Sequence, residues 1–195
     1  MSGAYTPVKT LSINDRNIEI RAFGRRDVVA VGKFAAALPA HDLLFLNRDI
    51  QHVKVIEAWQ QAVADGEIDS LIAFDQDTVV ATSAIVHDPS SWSPHVAEIR
   101  LLVTPAVRGN GLGRALLNQS IRIANERGAI KLIARMTSDQ GGSITLFEEA
   151  GFRSEALLRG HVRDRDGNSF HLAIFSLDLR RSDILLELQG DDPLE

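Results

Sequence analysis

The sequence predicts one mixed α/β domain, and three observations carry that expectation. Strand-like and helix-like segments follow one another in the order β-α-α-β-β-β-α-β-α-β-β. A glycine-rich turn near the middle joins a strong strand pattern to a strong helix pattern. The chain of 195 residues, 45% hydrophobic and 24% charged, is long and apolar enough for one sizeable core.

The elements are justified in turn. Residues 1–15 read as an N-terminal tail ending in a short extended piece. Residues 17–23 alternate polar and apolar, the period of a strand. Asp27 stands where an N-cap would open a helix over 28–37, stopped near Pro39. A second helix over 53–63 ends at Asp65 and Gly66, and strands over 70–74 and 79–86 flank a turn at 75–78. A Ser/Pro loop at 88–94 leads into a strand over 96–103, followed by the glycine turn and a helix over 112–124. A strand over 130–136 and a helix over 143–150, closed by Gly151, come next. Residues 152–163 and 168–179 read as a hairpin. The expected division is a tail (1–15), one domain (16–180) and an acidic C-terminal tail (181–195) that could serve a partner.

Composition excludes several classes. The chain has no cysteine, so it has no disulfide, no thiolate metal site and no cysteine-bound acyl-enzyme. A net charge of -5 argues against general nucleic-acid binding. No apolar run is long enough for a membrane span, and residues 1–7 lack the pattern of a signal peptide. The expectation is a cytoplasmic monomer or homodimer with no metal, no membrane and no nucleic-acid partner.

The glycine turn runs through Arg108, Gly109, Asn110, Gly111, Leu112 and Gly113. A helix opening directly after such a turn presents unpaired N–H groups and the positive end of its dipole, an arrangement suited to a phosphate. A mononucleotide loop would need Lys and Ser or Thr after its last glycine, whereas Gly113 is followed by Arg114 and Ala115. A dinucleotide fingerprint would need different glycine spacing and an acidic residue about 20 positions on. What remains is R-x-x-G-x-G, read as Arg108, Gly111 and Gly113, preceded by a strand and followed by a helix.

In that setting the segment resembles the cofactor motif of the GNAT superfamily of N-acyltransferases, and the likeness extends over roughly residues 17–179. The resemblance implies a central, mixed, mostly antiparallel sheet of about seven strands, splayed between the fourth and fifth, with helices on both faces. It also implies acetyl-CoA as acyl donor and a primary amine as acceptor, either a small molecule or a protein lysine. The whole-chain pattern is similar to bacterial members related to protein-lysine acyltransferases. By the same resemblance, the turn from Arg108 through Arg114 holds the pyrophosphate of coenzyme A. Backbone N–H groups at Leu102 or Val103, freed by a bulge, stabilise the oxyanion.

Removing a proton from the incoming ammonium, whose pKa is about 10, requires a base. Glu98 matches the base position of the related lysine acetyltransferases. Strand alternation equally makes it an ion-pair partner of Arg100 on the same face. His95 and His161 are reserve bases, and Trp92, His95, His161 and the segment 38–46 are candidates for the substrate pocket. Two positions depart from the family pattern. Gln140 stands where many members have the Asn that contacts the pantetheine arm. Phe147 replaces the Tyr that often protonates the departing thiolate, and the one tyrosine, Tyr5, lies in the tail. Those departures keep a second reading open, a sensor or regulatory module that binds coenzyme A with weak catalysis.

Overall fold

The computed structural model describes residues 9–13 and 16–181. Eight strands form one sheet: β1 (Lys9–Ile13), β2 (Arg16–Ala22), β3 (Ile68–Asp75), β4 (Thr78–His87), β5 (Val96–Val103), β6 (Lys131–Thr137), β7 (Arg153–Arg163) and β8 (Ser169–Asp178). Four helices accompany them: α1 (Val28–Ala37), α2 (Val53–Ala64), α3 (Leu112–Glu126) and α4 (Gly141–Glu149). The strand order is β1-β2-β3-β4-β5-β6-β8-β7. Every neighbouring pair is antiparallel except β5 and β6.

The extended piece foreseen within the N-terminal tail is β1, paired with β2 from Lys9↔Ile20 to Ile13↔Arg16, so the sheet has eight strands. Residues 1–8, which include Tyr5, lie outside the described residues, as does the acidic tail beyond Arg181. Asp27 does not cap α1 with its side chain. Its carboxylate instead accepts two bonds from Arg21, at 2.7 and 2.8 Å, and one from the Gly24 N–H at 2.9 Å. A buried carboxylate beside a guanidinium finds its strongest partner there and leaves the helix end to other groups.

The sheet is covered on both faces, which explains the nearly unbroken apolar runs of β3 and β4. On one face α3 and α4 bring Leu117, Ile121 and Phe147 against Ile99, Leu132, Ala134 and Phe175. On the other, α1 and α2 bring Val31, Phe34 and Ile56 against Ile72, Leu102 and Leu172. Alternation along β5 divides the strand between the two: Ile99 belongs to the α3 side, Leu102 to the α1–α2 side.

Phe152 is fully buried where α4 turns into β7, edge-on to Phe147 with ring centroids 5.0 Å apart. Phe152→Ala should destabilise the protein by about 3–5 kcal/mol, read from the midpoint of urea unfolding at constant slope.

Candidate active site

β5 and β6 pair over only three positions, Val96↔Lys131, Ala97↔Leu132 and Glu98↔Ile133, and then part. On its other side β5 stays in register with β4 as far as Ala81↔Val103 with no shift. No bulge frees the amides at the end of β5; the divergence from β6 does. Which amides are free follows from alternation. The Thr104 N–H bonds the Val80 carbonyl at 2.9 Å, so the N–H groups of Thr104 and Leu102 face β4. Those of Val103 and Leu101 face the gap.

The gap is one end of a cleft of about 620 Å³, walled by Ile99, Leu101 and Val103, by the glycine turn, and by the start of α4. At the turn, Gly109 and Gly111 have φ of +77° and +84°, a conformation that costs other residues dearly. Gly111 is the N-cap of α3 and offers no side-chain cap. The first helical bond is Ala115 N–H to the Gly111 carbonyl, so the amides of Leu112, Gly113 and Arg114 have no partner within the helix. Gly113 serves a different purpose: a Cβ there would meet Leu146 Cδ2 at 3.3 Å, against α4. Asn110 is exposed on the turn, and Leu112 is buried beneath it.

The charged side chains of the turn are already engaged. Arg108 Nε donates to the Val103 carbonyl at 3.0 Å, and its Nη2 pairs with Asp42 from a short helical turn, Ala40–Leu43. Arg114 pairs with Glu149 of α4. Gln140 is the N-cap of α4 and lines the cleft, its Oε1 accepting from the Thr137 N–H at 3.2 Å. Phe147 also lines the cleft and is buried against Phe152. In the sequence Asp42 is one residue of the candidate pocket segment 38–46. Its sequence separation from Arg108 left no signal for the pairing. The same short turn supplies His41, whose Nε2 lies 3.2 Å from Asp139 Oδ2 and whose ring meets the edge of Phe170.

Where the strands begin to part, on the α1–α2 face, sits a buried charge cluster. Glu98 is 7% exposed. It accepts from Arg100 at 2.8 Å and, through both oxygens, from Arg135 at 2.9 and 2.8 Å. Arg135 is held in turn by Asn47 at 3.0 Å. Burial works to raise the Glu98 pKa, but the hydrogen bonds and charges of Arg100 and Arg135 outweigh it and hold the carboxyl below its ordinary range. Arg100 also lines a second cavity of about 380 Å³ under α2, with Trp59, Arg48 and Leu102. Trp59 packs its ring on Phe23 at 4.8 Å while lining this cavity.

The other pocket candidates lie elsewhere. Trp92 is fully exposed, His95 and His161 are exposed, and none of the three lines either cavity. The loop carrying Trp92 closes on itself, with Ser90 and Ser91 bonded back to Asp88 at 3.1 and 2.9 Å.

Residues 40–152, which include the glycine turn and both strands that part, match the acetyltransferase (GNAT) family. The chain belongs to that family. One curated relative of this GNAT domain is YwnH of Bacillus subtilis (strain 168), provisionally named a phosphinothricin acetyltransferase. It is 34% identical over 83 residues, or 43% of this chain and 50% of the relative. The match therefore spans half the length of that relative. Among solved structures, yncA of Salmonella typhimurium, described with its cofactor acetyl-CoA, superposes with a TM-score of 0.72. It is 24% identical, with 84% of this chain and 94% of that one covered. A ribosomal-protein-alanine N-acetyltransferase from Brucella melitensis gives 0.71 at 24% identity, covering 82% and 99%. At that identity the structures attest the fold alone.

The residues fit the cofactor that yncA holds. A cradle of free amides, a turn with space beside Gly109 and Gly111, and an open β-strand edge lie along one cleft. Among the described residues no group of three His, Asp or Glu side chains stands in metal-binding array, and no helix is long and apolar enough to cross a membrane.

Asp42 competes with any incoming anion for Arg108, so Asp42→Asn should tighten coenzyme A binding about two- to fivefold by calorimetry. That is the range for an exposed ion pair. Glu98 has a depressed folded pKa, so its contribution to stability is complete above the ordinary carboxylate range. It is lost as pH falls through the folded value. Melting temperatures recorded from pH 7 down to pH 3 should therefore fall less steeply in Glu98→Gln than in the parent.

Proposed function

We propose that this GNAT domain is an N-acetyltransferase that moves an acetyl group from acetyl-CoA to a primary amine by direct attack in a ternary complex. The observation that carries this reading is the placement, in one cleft, of the amide cradle at the start of α3 and the open edge of β5. Bound acetyl-CoA would supply the thioester carbon to be attacked. The amides of Leu112, Gly113 and Arg114, with the Arg108 guanidinium once Asp42 releases it, hold the pyrophosphate. Gln140 and Phe147 flank the arm that follows. The Val103 N–H, aimed into the gap, donates to the acyl oxygen, a role strand alternation favours over Leu102.

Glu98 takes the ammonium proton through an intervening water. Its two guanidiniums favour the ionised, proton-accepting form while lowering its basicity. Phe147 has no proton to give, so it would leave departure of the thiolate unassisted at that position; the parent thiol is a fairly strong acid among leaving groups. Its pKa of about 8.5 makes this tolerable. With no cysteine in the chain, direct attack is favoured over a thioester-linked enzyme.

The names of the relatives point to different acceptors, a small molecule for YwnH and a protein for the Brucella enzyme.

Titration calorimetry with acetyl-CoA should show binding that Gly111→Asp abolishes, since that change places a strained residue and a negative charge at the cradle. Glu98→Gln should keep cofactor affinity while kcat falls by roughly 10²–10⁴. Absence of binding by the parent protein would retire the proposal. An unchanged kcat in Glu98→Gln would leave Glu98 as the anchor of two arginines only.

A further inference from the structure

One titratable side chain of the cleft takes no part in the proposed transfer. His41 lines the cleft from the short turn Ala40–Leu43. Its Nε2 lies 3.2 Å from Asp139 Oδ2 and 3.4 Å from Thr137 Oγ1. An ionised carboxylate can only accept, so Nε2 carries a hydrogen and donates it to Asp139. Asp139 is fixed in its turn. A hydrogen bond from the buried Thr137 hydroxyl holds its carboxyl below the ordinary range. Among the described residues, none bonds the other ring nitrogen of His41, Nδ1.

One nitrogen is tied to a carboxylate and the other is open, the form in which an imidazole passes a proton at a defined atom. The other polar side chains of the cleft cannot do this near neutrality. Arg108, Arg114 and Arg135 keep their protons at any accessible pH. Asp42 and Glu149 are the ion-pair partners of the first two. Ser143 and Thr145 bring only hydroxyls, far weaker acids than an imidazolium.

The groups that face the His41 ring are Thr137 from β6, Asp139 from the loop after it and the Phe170 ring from β8. Asp42, beside it on the turn, is met by Arg108. Thr137 also gives its N–H to Gln140 Oε1, so the imidazole and a side chain assigned to the donor's arm share one anchor.

We propose that His41 gives a proton to the sulfur as the acyl group leaves coenzyme A, and that Asp139 positions the ring for it. This inference rests on the transferase reading. As the acceptor nitrogen bonds to the acetyl carbon, the carbon–sulfur bond breaks and its electron pair goes to sulfur. The Nδ1 proton of the imidazolium moves to that sulfur, which leaves as a thiol. Of the two protons the ammonium gives up, one restores the imidazolium through solvent and one is released. Phe147, on the same cleft, has no proton to offer.

Two readouts test the proposal in the intact protein. The first is the titration of His41, assigned through the backbone by NMR, with coenzyme A or desulfo-coenzyme A bound. The ligands differ only at the sulfur, so a ring that faces it should titrate differently by about half a pH unit or more. The second is acetyl transfer, followed by thiol release, to 2-phenylethylamine, methionine and a terminally blocked lysine peptide. His41→Gln keeps an N–H for Asp139, so the turn stays fastened while the transferable proton is lost.

In His41→Gln, kcat should fall roughly ten- to a hundredfold at pH 7, a modest effect because a thiol is a good leaving group. The KM for acetyl-CoA should stay within about twofold. The deficit should shrink above about pH 9, where a thiolate needs no proton and imidazoles are neutral. Asp139→Asn should show a smaller, severalfold fall with the same dependence on pH.

Equal titration of His41 with the two ligands overturns the proposal, with or without transfer. So does an unchanged kcat in His41→Gln. A deficit of the same size at pH 7 and at about pH 9.5 also overturns it, leaving His41 as a fastening of the turn. A titration difference with no transfer to any amine upholds the contact between His41 and the sulfur and counts against the transferase reading instead.

Discussion

Backbone pairing between β5 and β6 stops at Glu98↔Ile133, and the peptide groups of β5 beyond that point need other partners. What replaces the ladder is a side-chain bridge. Glu98 on β5 and Arg135, two residues past the last pairing on β6, join through both carboxylate oxygens. A guanidinium and a carboxylate span more distance than an N–H and a carbonyl, so the bridge holds the strands near each other without letting the ladder close. The cleft, the outward amides of Leu101 and Val103, and the short second wall at Leu102 all follow. A buried bridge of this kind repays little of its desolvation cost. Its value here is placement.

Much of the fold was legible because periodicity reported burial faithfully. α1 was read at its observed bounds, and the hairpin of β7 and β8 was foreseen to within a residue or two. The likeness to a known motif added what periodicity lacks, the splay of two strands distant in sequence. Less legible were features that depend on partners far along the chain. β1 was legible only as a short extended piece without bounds, because five residues at the edge of a sheet carry too little pattern. Asp27 looked like a cap because its competitor, Arg21, sits on a different element.

The site divided along the same line. Gly109, Gly111 and Gly113 declared themselves through local spacing, and the structure gives each a local reason, positive φ or a close approach to Leu146. Asp42 and Arg108, or Arg135 and Glu98, meet only once the sheet has formed. Trp59 is instructive for another reason. An aromatic residue on the apolar stripe of a helix reads as core, and its ring is core; only its N–H, left without a partner, separates it from an ordinary packed tryptophan.

The short turn Ala40–Leu43 reaches both sides of the cleft, through Asp42 to Arg108 and through His41 to Asp139. A few residues on, Leu46, Asn47 and Arg48 line the other cavity, and Asn47 also braces Arg135. One stretch of backbone thus borders both hollows. An anion that drew Arg108 off Asp42 would loosen the clasp on that stretch and, through it, the wall of the neighbouring hollow, and occupancies coupled in this way would alter each other's affinity by the same factor.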